Sequence, residues 1–380
     1  MTIISIFVGI MTIFVFISFG LGLYNYVNEF TTDSSADKII IQAKGIGAPG
    51  LDTTFALTDD DLRVIEKTSG VYEASGASFK VVEVEKGGIK KYTFMIGYDP
   101  AKPLIMEFYD INIDEGRWLE AGEKNKAMFG YNYKVNDKIF SKGYDLGSNV
   151  NIDGNKIRSV GFFESVGSPP DDAQIYITNE FMDDLYPDED LSYGWIIARV
   201  DVSDIDKVIE NIEKNLRKER GLEEGKEDFY VQSFQDLMET YSNVLNGIIG
   251  FIILIALISV LVSAINTANT MITSVLERYK EIGVIKSIGA RNSEIFKIFL
   301  FESGFLGFVA GIVGVSLGFI ISYLGGKLLS DLGWGFLSPH YSVGLFVGCI
   351  LFATITGAIS GAVPAMRASK INPVEALRYE

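Results

Sequence analysis

The residue types that most often perform catalysis or bind metals are scarce in this chain. Its 380 residues include one histidine, His340, and one cysteine, Cys349. A Cys/His dyad, a zinc cluster and a disulfide framework are therefore excluded. The Gly-Lys pairs, such as Gly326–Lys327, lack the flanking residues of a phosphate-binding P-loop. We expect no catalytic residue, no cofactor site and no metal site.

Acidic residues cluster at three places, Asp171–Asp172, Asp183–Asp184 and Asp188–Asp190. Carboxylates of this kind can bind calcium, but no glycine-loop pattern accompanies them. We interpret the clusters as solvated loops and keep a calcium site as the weaker alternative.

Four long stretches of the chain contain no charged side chain. They are 1–28, 240–276, 303–326 and 332–366, the last interrupted only by His340. A membrane-spanning helix needs about 20 apolar residues. The chain is therefore predicted to cross a membrane four times, and a purely soluble enzyme is excluded.

The distribution of charge predicts the orientation of these spans. Of the net charge of −16, the block 24–243 carries 24 basic and 42 acidic residues. The loop 273–298 has five basic residues and the tail after Val363 has three, whereas the 326–341 connection has one, Lys327. Basic residues in short loops favour the cytoplasm, and long domains translocate regardless of charge. We expect the acidic block outside, which argues against nucleic acid as a ligand.

The first apolar run resembles a secretory signal peptide only superficially. It is about 23 residues long, which exceeds a signal h-region of 7–15 residues, and Tyr24, Tyr26 and Phe30 follow it as interface anchors. We interpret it as a retained span. Because no basic residue precedes it, we expect a basic lead-in upstream of Met1, which mass spectrometry of the native N-terminus would test.

The external block has the pattern of an α+β domain. Leu57–Lys67 is predicted to be a helix capped by Thr58. Strands are predicted at 78–85, 90–98, 150–163, 174–178 and 194–202, with hairpin turns at Gly87–Gly88 and Asp153–Gly154. Ser203–Lys218 is predicted to be a helix with Ile205, Val208, Ile209, Ile212 and Leu216 on one face.

The end of this block continues into the second span without a break. Phe234, Leu237, Met238 and Tyr241 have helical spacing, and 231–240 is compatible with a helix. We expect one unbroken helix, or stalk, that could transmit motion, which a flexible linker could not.

The third and fourth spans carry glycines at helical spacing. Small residues so placed let two helices approach closely in lipid. The glycines assigned to packing are Gly304, Gly307, Gly311, Gly314, Gly318, Gly357 and Gly361, with Gly344 and Gly348 as a further pair. We expect spans three and four to pack tightly. No continuous polar face crosses any span, so the sequence does not indicate a hydrophilic pore.

The loop 273–298 contains a predicted short helix, 277–289, which Gly289 would end. Ile282, Ile285 and Ile288 follow one another at three-residue steps, and Arg278 and Lys286 are predicted to share their side. A helix with such mixed faces suits contact with a protein partner.

Two motifs resemble the MacB/LolC/FtsX-type permeases of ABC transporters. The first is Glu-Arg-x-x-Glu-Ile-Gly-x-x-x-Ser-x-Gly-Ala in residues 277–290 of the loop, and the second is Pro-Ala-x-x-Ala-Ser-x-x-x-Pro-Val-Glu-Ala-Leu-Arg in 364–378 of the tail. Residues 115–119, 146–147 and 160–162 are similar to the family's MacB-like periplasmic core domain.

The resemblance implies a permease dimer, either a homodimer or a heterodimer with a second permease, bound to a separate ABC ATP-binding subunit that holds ATP and Mg. By this resemblance the loop helix couples to the ATPase through Glu277, Arg278, Lys280, Glu281, Ile282, Gly283, Ile285, Lys286, Gly289, Ala290 and Arg291. The matching C-terminal motif residues are Pro364, Ala365, Ala368, Pro373, Glu375, Ala376, Leu377 and Arg378.

The predicted fold class is a membrane protein with four transmembrane α-helices and a large α+β extracytoplasmic domain between spans 1 and 2. The predicted organisation is span 1 in 1–27, the extracytoplasmic domain in 28–232, stalk and span 2 in 233–272, the cytoplasmic coupling loop in 273–298, span 3 in 299–326, a short external loop in 327–340, span 4 in 341–363 and the cytoplasmic tail in 364–380.

The predicted function is that of a multi-pass permease subunit in the plasma or inner membrane. Through mechanotransmission it would use ATP hydrolysis by the partner for work on the outer side, in the export or extraction of lipoprotein, peptide or amphipathic drug. The chain itself is not expected to be an enzyme. The alternatives are an FtsX-like regulator of an external cell-wall hydrolase and a membrane receptor without an ATPase.

Overall fold

The computed structural model describes residues 2–29, 35–44, 56–189 and 192–378, and within them the chain divides into two compact units. The sheet unit comprises Tyr26–Ser242 and Leu332–Phe336. The helical unit comprises Met1–Asn25, Asn243–Asp331 and Leu337–Glu380. This division agrees with the predicted insertion of one large domain between the first and second spans.

The regular elements follow one another in this order along the described residues. The strands are β1 Lys38–Ala43, β2 Val71–Lys86, β3 Ile89–Tyr98, β4 Ile113–Gly116, β5 Lys126–Phe129, β6 Asn149–Ile152, β7 Asn155–Phe163, β8 Ile175–Thr178, β9 Tyr193–Val200 and β10 Phe229–Ser233. The helices are α1 Thr2–Glu29, α2 Asp59–Glu66, α3 Leu104–Phe108, α4 Asn179–Leu185, α5 Ile205–Arg220, α6 Phe234–Glu277, α7 Tyr279–Ser287, α8 Asn292–Asp331, α9 Val343–Ser369 and α10 Pro373–Arg378.

The strands form one mixed sheet in the order β10-β1-β9-β2-β3-β8-β5-β7-β4, and β6 pairs with β2 and β7. The pairs β3/β8 and β5/β7 are parallel, and the others are antiparallel. The predicted hairpin at Gly87–Gly88 is confirmed, since Lys86 pairs with Ile89 and both glycines have positive φ. Strand β2 begins at Val71, well before its predicted start at Ser78.

Helices α2 and α5 cover one face of the sheet. Thr58 caps α2 as predicted, through a reciprocal capping box with Asp61. The inward face of α5 is also confirmed, because Val208, Ile212 and Leu216 are buried against β1 and β9. The helix begins at Ile205, two residues after its predicted start.

Helix α3 packs on the opposite face of the sheet. Its side chains Leu104, Ile105, Met106 and Phe108 join a core that includes Ile40 of β1 and Ile197 of β9. This short helix was not predicted, because five residues are too few to display a helical period.

Two of the segments that resemble the family's periplasmic domain lie together in the sheet. Strand β4 pairs with β7, and Glu115 lies opposite Phe162 and Gly116 opposite Gly161. Gly116 has a φ of 93°, and its Cα faces the Val160 carbonyl so closely that a side chain there would collide with it.

Several element boundaries differ from the predictions. Residues 231–233 belong to β10, which pairs with β1, so the helix-compatible segment begins only at Phe234. The unbroken helix itself is confirmed, since α6 runs from Phe234 to Glu277. In addition, α8 extends beyond the predicted span at both ends, and α9 continues through Pro364 to Ser369.

The helical unit contains four helices that are long and apolar enough to cross a membrane: α1, α6, α8 and α9. Helix α6 is the least buried of them, because only 6% of its most apolar stretch is buried within the described chain. Apolar side chains such as Phe251 and Leu261 therefore point outward, to be covered by lipid or by another helix.

Candidate functional site

The loop between α6 and α8 holds the short helix α7. Glu277 ends α6, and Arg278 occupies the N-cap position of α7. At the other end, Ile288 is the C-cap residue and Gly289 has a φ of 108°, which only glycine adopts readily. The prediction that Gly289 ends the helix is confirmed.

One face of α7 packs within the chain. Ile282 is only 3% exposed and contacts a core formed by the neighbouring ends of three long helices. The other members of that core are Met271 and Val275 of α6, Ile295 and Phe299 of α8, and Ala365 and Ala368 of α9. Ile282 thus anchors α7 at the point where these helices meet.

Gly283 and Lys286 attach the same face to the C-terminal tail. A Cβ atom at Gly283 would lie 2.5 Å from the Cβ of Ala376 in α10, so only glycine permits this approach. The Lys286 Nζ donates to the carbonyl oxygens of Ser369 at 2.9 Å and Ile371 at 2.6 Å. The ammonium thereby satisfies carbonyl groups at the C-terminal end of α9.

The opposite face of α7 is exposed and mostly apolar. Glu281, Val284, Ile285 and Ile288 are spaced at i, i+3, i+4 and i+7, and all four are exposed. We call these four residues the outer stripe. Ile288 is 82% exposed, an unusual position for a large aliphatic side chain.

This arrangement corrects the predicted grouping of the isoleucines. Ile282 lies on the packed face with Lys286, whereas Ile285 and Ile288 lie on the outer stripe. Three-residue steps drift around a helix of 3.6 residues per turn, so the first and third isoleucines no longer share a face. Val284 and Ile288 were missed as site residues, although their spacing from Glu281 carried the signal.

The remaining loop residues border the helix. Arg278 forms an ion pair with Glu302 of α8 at 3.6 Å. The Arg291 backbone amide donates to Glu294 at 2.9 Å, capping α8. Glu277 and Lys280 are exposed, and Ala290 packs partly against the core below α7.

The tail motif supports the loop helix from the side. Pro364 lies inside α9, and Ala365 and Ala368 are buried beside Ile282. Pro373 starts α10, Ala376 contacts Gly283, and Glu375 is exposed. The side chains of Leu377 and Arg378 lie outside the part of the chain that is described. The two motifs quoted from the sequence therefore form one packed region.

The glycine stripe of α8 divides between two partners. Gly304, Gly307 and Gly311 face α9, as predicted, and Gly357 and Gly361 of α9 face Ser303 and Gly307 in return. Gly314 and Gly318 instead face α1, near Phe7, Ile10 and Phe14. A Cβ atom at Gly344 or Gly348 would meet no other helix of the described chain within 4 Å.

Two family models match this chain. Residues 253–373 match the family model of the FtsX-like permease C-terminal region, and residues 1–215 match that of the MacB-like periplasmic core domain. An uncharacterized ABC transporter permease of Methanocaldococcus jannaschii is 34% identical over 385 residues, covering 100% of this chain and 94% of the relative.

Some longer relatives are named ATP-binding/permease proteins. A pyoverdine export ATP-binding/permease protein of Pseudomonas entomophila is 26% identical over all of this chain, which spans 57% of that protein's length. Among solved structures, the periplasmic region of MacB from Actinobacillus actinomycetemcomitans matches with a TM-score of 0.44 and 12% identity, covering 57% of this chain and 98% of that region.

Proposed function

Because this chain belongs to the ABC transporter permeases with an FtsX-like C-terminal region and a MacB-like periplasmic core domain, we propose that it couples ATP hydrolysis by a separate ATP-binding subunit to mechanical work outside the membrane. The protein is a multi-pass membrane protein, and its sheet unit is the extracytoplasmic segment. The ATPase activity and the bound ATP and Mg belong to the partner subunit in this proposal.

The outer stripe of α7 is the observation that carries this proposal. Three aliphatic side chains stand in a row on a helix whose other face is fixed by Ile282, Gly283 and Lys286. A row of this kind favours a complementary groove on a partner protein. Glu281 at its start adds a charge that can orient the contact.

Because α7 is packed against three long helices, a partner bound to α7 could move those helices. A partner that moved the outer stripe would act directly on the cytoplasmic ends of α6, α8 and α9 through Ile282. Nucleotide binding by the ATP-binding subunit can shift the permease between two conformations only if the contacts with α7 differ in free energy between them. Helix α6 then continues from this region to Phe234 without interruption.

The permease is proposed to work as a dimer, with a second copy or a related permease. The exposed apolar side chains of α6 support this, since a second permease would cover part of them. The material acted upon is proposed to be lipoprotein, peptide or amphipathic drug.

Co-expression with a candidate ABC ATP-binding subunit tests the proposal. We expect the two chains to co-purify from detergent and the pair to hydrolyse ATP after reconstitution. If the ATP-binding subunit neither co-purifies nor changes its hydrolysis rate when the permease is present, the coupling proposal is wrong.

A further inference from the structure

One face of α6 carries a strict heptad pattern along 244–276. Its residues follow one another at alternating spacings of four and three. A stripe this narrow is typical of a coiled-coil seam, whereas a helix packed on a globular core shows a wider apolar face. We call the ten residues of this stripe the heptad seam: Val244, Ile248, Phe251, Ile255, Ile258, Val262, Ile265, Asn269, Ile272 and Leu276.

The heptad seam lies on the side of α6 that the described chain leaves open. Nine of its members are exposed, and Ile272 is half-buried. The opposite side of α6 is covered, since Thr267 is fully buried and a Cβ atom at Gly20 of α1 would lie 3.3 Å from the Ile249 side chain. The seam is therefore available to a helix from another molecule.

One member of the heptad seam is polar. Asn269 lies eight residues before Glu277, which is roughly 12 Å from the cytoplasmic end of α6. Its backbone carbonyl accepts from the Thr273 hydroxyl at 3.2 Å, but its side-chain amide makes no hydrogen bond within the described residues. Lipid tails neither donate nor accept hydrogen bonds, so a polar side chain in a span needs a partner in protein or water.

A second copy of this chain supplies the partner that Asn269 lacks. Two copies in one membrane have the same orientation, so their α6 helices are parallel and Asn269 meets Asn269 at the same depth. A carboxamide both donates and accepts, so the identical residue across a two-fold axis is complementary to it. The equivalent heptad positions hold Ile248, Ile255 and Val262, and β-branched residues with one asparagine at these positions favour two strands in a single register.

We propose that α6 of two copies forms a parallel, left-handed coiled coil along the heptad seam, with a hydrogen-bonded pair of Asn269 side chains. A strict seven-residue repeat imposes a left-handed supercoil. Helices in lipid associate through such packing and through hydrogen bonds between them. The inference rests on the proposed function in one respect, since it names the interface of the dimer proposed there.

Disulfide cross-linking in membranes tests the heptad seam. Cys349, the single cysteine of the chain, is replaced by alanine, and one new cysteine is introduced at Ile258, Ile265 or Leu257. Ile258 and Leu257 are neighbours at the same depth and are 57% and 55% exposed, but only Ile258 belongs to the seam. With a copper–phenanthroline oxidant we expect disulfide-linked dimers from Ile258→Cys and Ile265→Cys, and at least tenfold less from Leu257→Cys.

Asn269→Ala, in the Ile258→Cys background, tests the hydrogen bond. We expect the rate of cross-linking to fall about three- to tenfold, whereas Asn269→Gln keeps an amide and should retain most of the rate. Asn246→Ala is the control, because it removes an exposed amide of α6 outside the seam.

Three outcomes would overturn this interface. They are equal cross-linking at Leu257 and Ile258, no cross-linking from either seam cysteine, and an unchanged rate in Asn269→Ala. Light scattering of the purified chain separates the seam from the dimer, because a dimer that cross-links only through Leu257 overturns the seam alone, whereas a monomer overturns both. The assay contains no ATP-binding subunit, so its failure leaves the co-purification test unaffected.

Discussion

Gly307→Leu is expected to prevent α8 and α9 from packing and to remove most of the folded protein from the membrane. A Cβ atom at this position would lie 2.5 Å from the Ala353 carbonyl oxygen and 3.2 Å from the Cα of Gly357. Both are backbone atoms, so the helices themselves must separate. Overpacking costs about 1–3 kcal/mol or more, and separation also removes the van der Waals contacts that hold helices together in lipid.

The yield and thermal stability of monodisperse protein in detergent measure this effect. Gly348→Leu is the matched control: Gly348 lies in α9, and a Cβ atom there would meet none of the described residues within 4 Å. We expect Gly348→Leu to behave like the natural protein. Equal yield and stability of the two variants would contradict the close packing of α8 on α9.

Ile288→Asp is expected to release the ATP-binding subunit. Ile288 is 82% exposed and does not belong to the core around Ile282, so the substitution should leave the permease folded. Placing a carboxylate in an apolar partner groove should cost about 2 kcal/mol or more, as for other binding hot spots. That loss corresponds to roughly 30-fold weaker association.

Co-purification and permease-dependent ATP hydrolysis measure the loss. The control is Ile89→Asp, which changes an exposed isoleucine at the start of β3 in the sheet unit. The ATP-binding subunit should remain associated with this control. Unchanged association of Ile288→Asp would show that the outer stripe is not the docking surface.

Gly283 gives a contrasting expectation in the same assay. A side chain there meets Ala376 of the permease's own tail, so a substitution should disturb α7 without touching the partner directly. The sequence motif groups Gly283 with Glu281, but the two residues lie on opposite faces of the helix. Effects at Gly283 therefore report on the position of α7, and effects at Glu281 and Ile288 report on the contact.

The sequence was sufficient to predict those parts of the fold that depend on local pattern. Apolar length identified all four spans, turn glycines identified the β2–β3 hairpin, and helical periodicity identified the buried face of α5. Strands β1, β4, β5 and β10 were not predicted, because their pairing partners come from distant parts of the chain.

The candidate sites depend on contacts that the sequence does not reveal. The spacing of the α8 glycines indicated close packing, but not that Gly314 and Gly318 would face α1. Likewise, nothing local connects Lys286 with Ser369, 83 positions later. In the same way, one cavity of the sheet unit is lined by Lys38, Tyr98 and Arg199 of three separate strands, and only the folded sheet brings these side chains together.

Hydrogen–deuterium exchange of the reconstituted complex tests the central claim most directly, because that claim is transmission of the nucleotide state to the extracytoplasmic side. A non-hydrolysable ATP analogue is added to the natural permease and to Ile288→Asp, each with the ATP-binding subunit. We predict that the analogue changes exchange in α6 and in the sheet unit of the natural permease, and that Ile288→Asp removes this response. Changes confined to the ATP-binding subunit and α7 of the natural permease, with the sheet unit unaffected, would contradict the account.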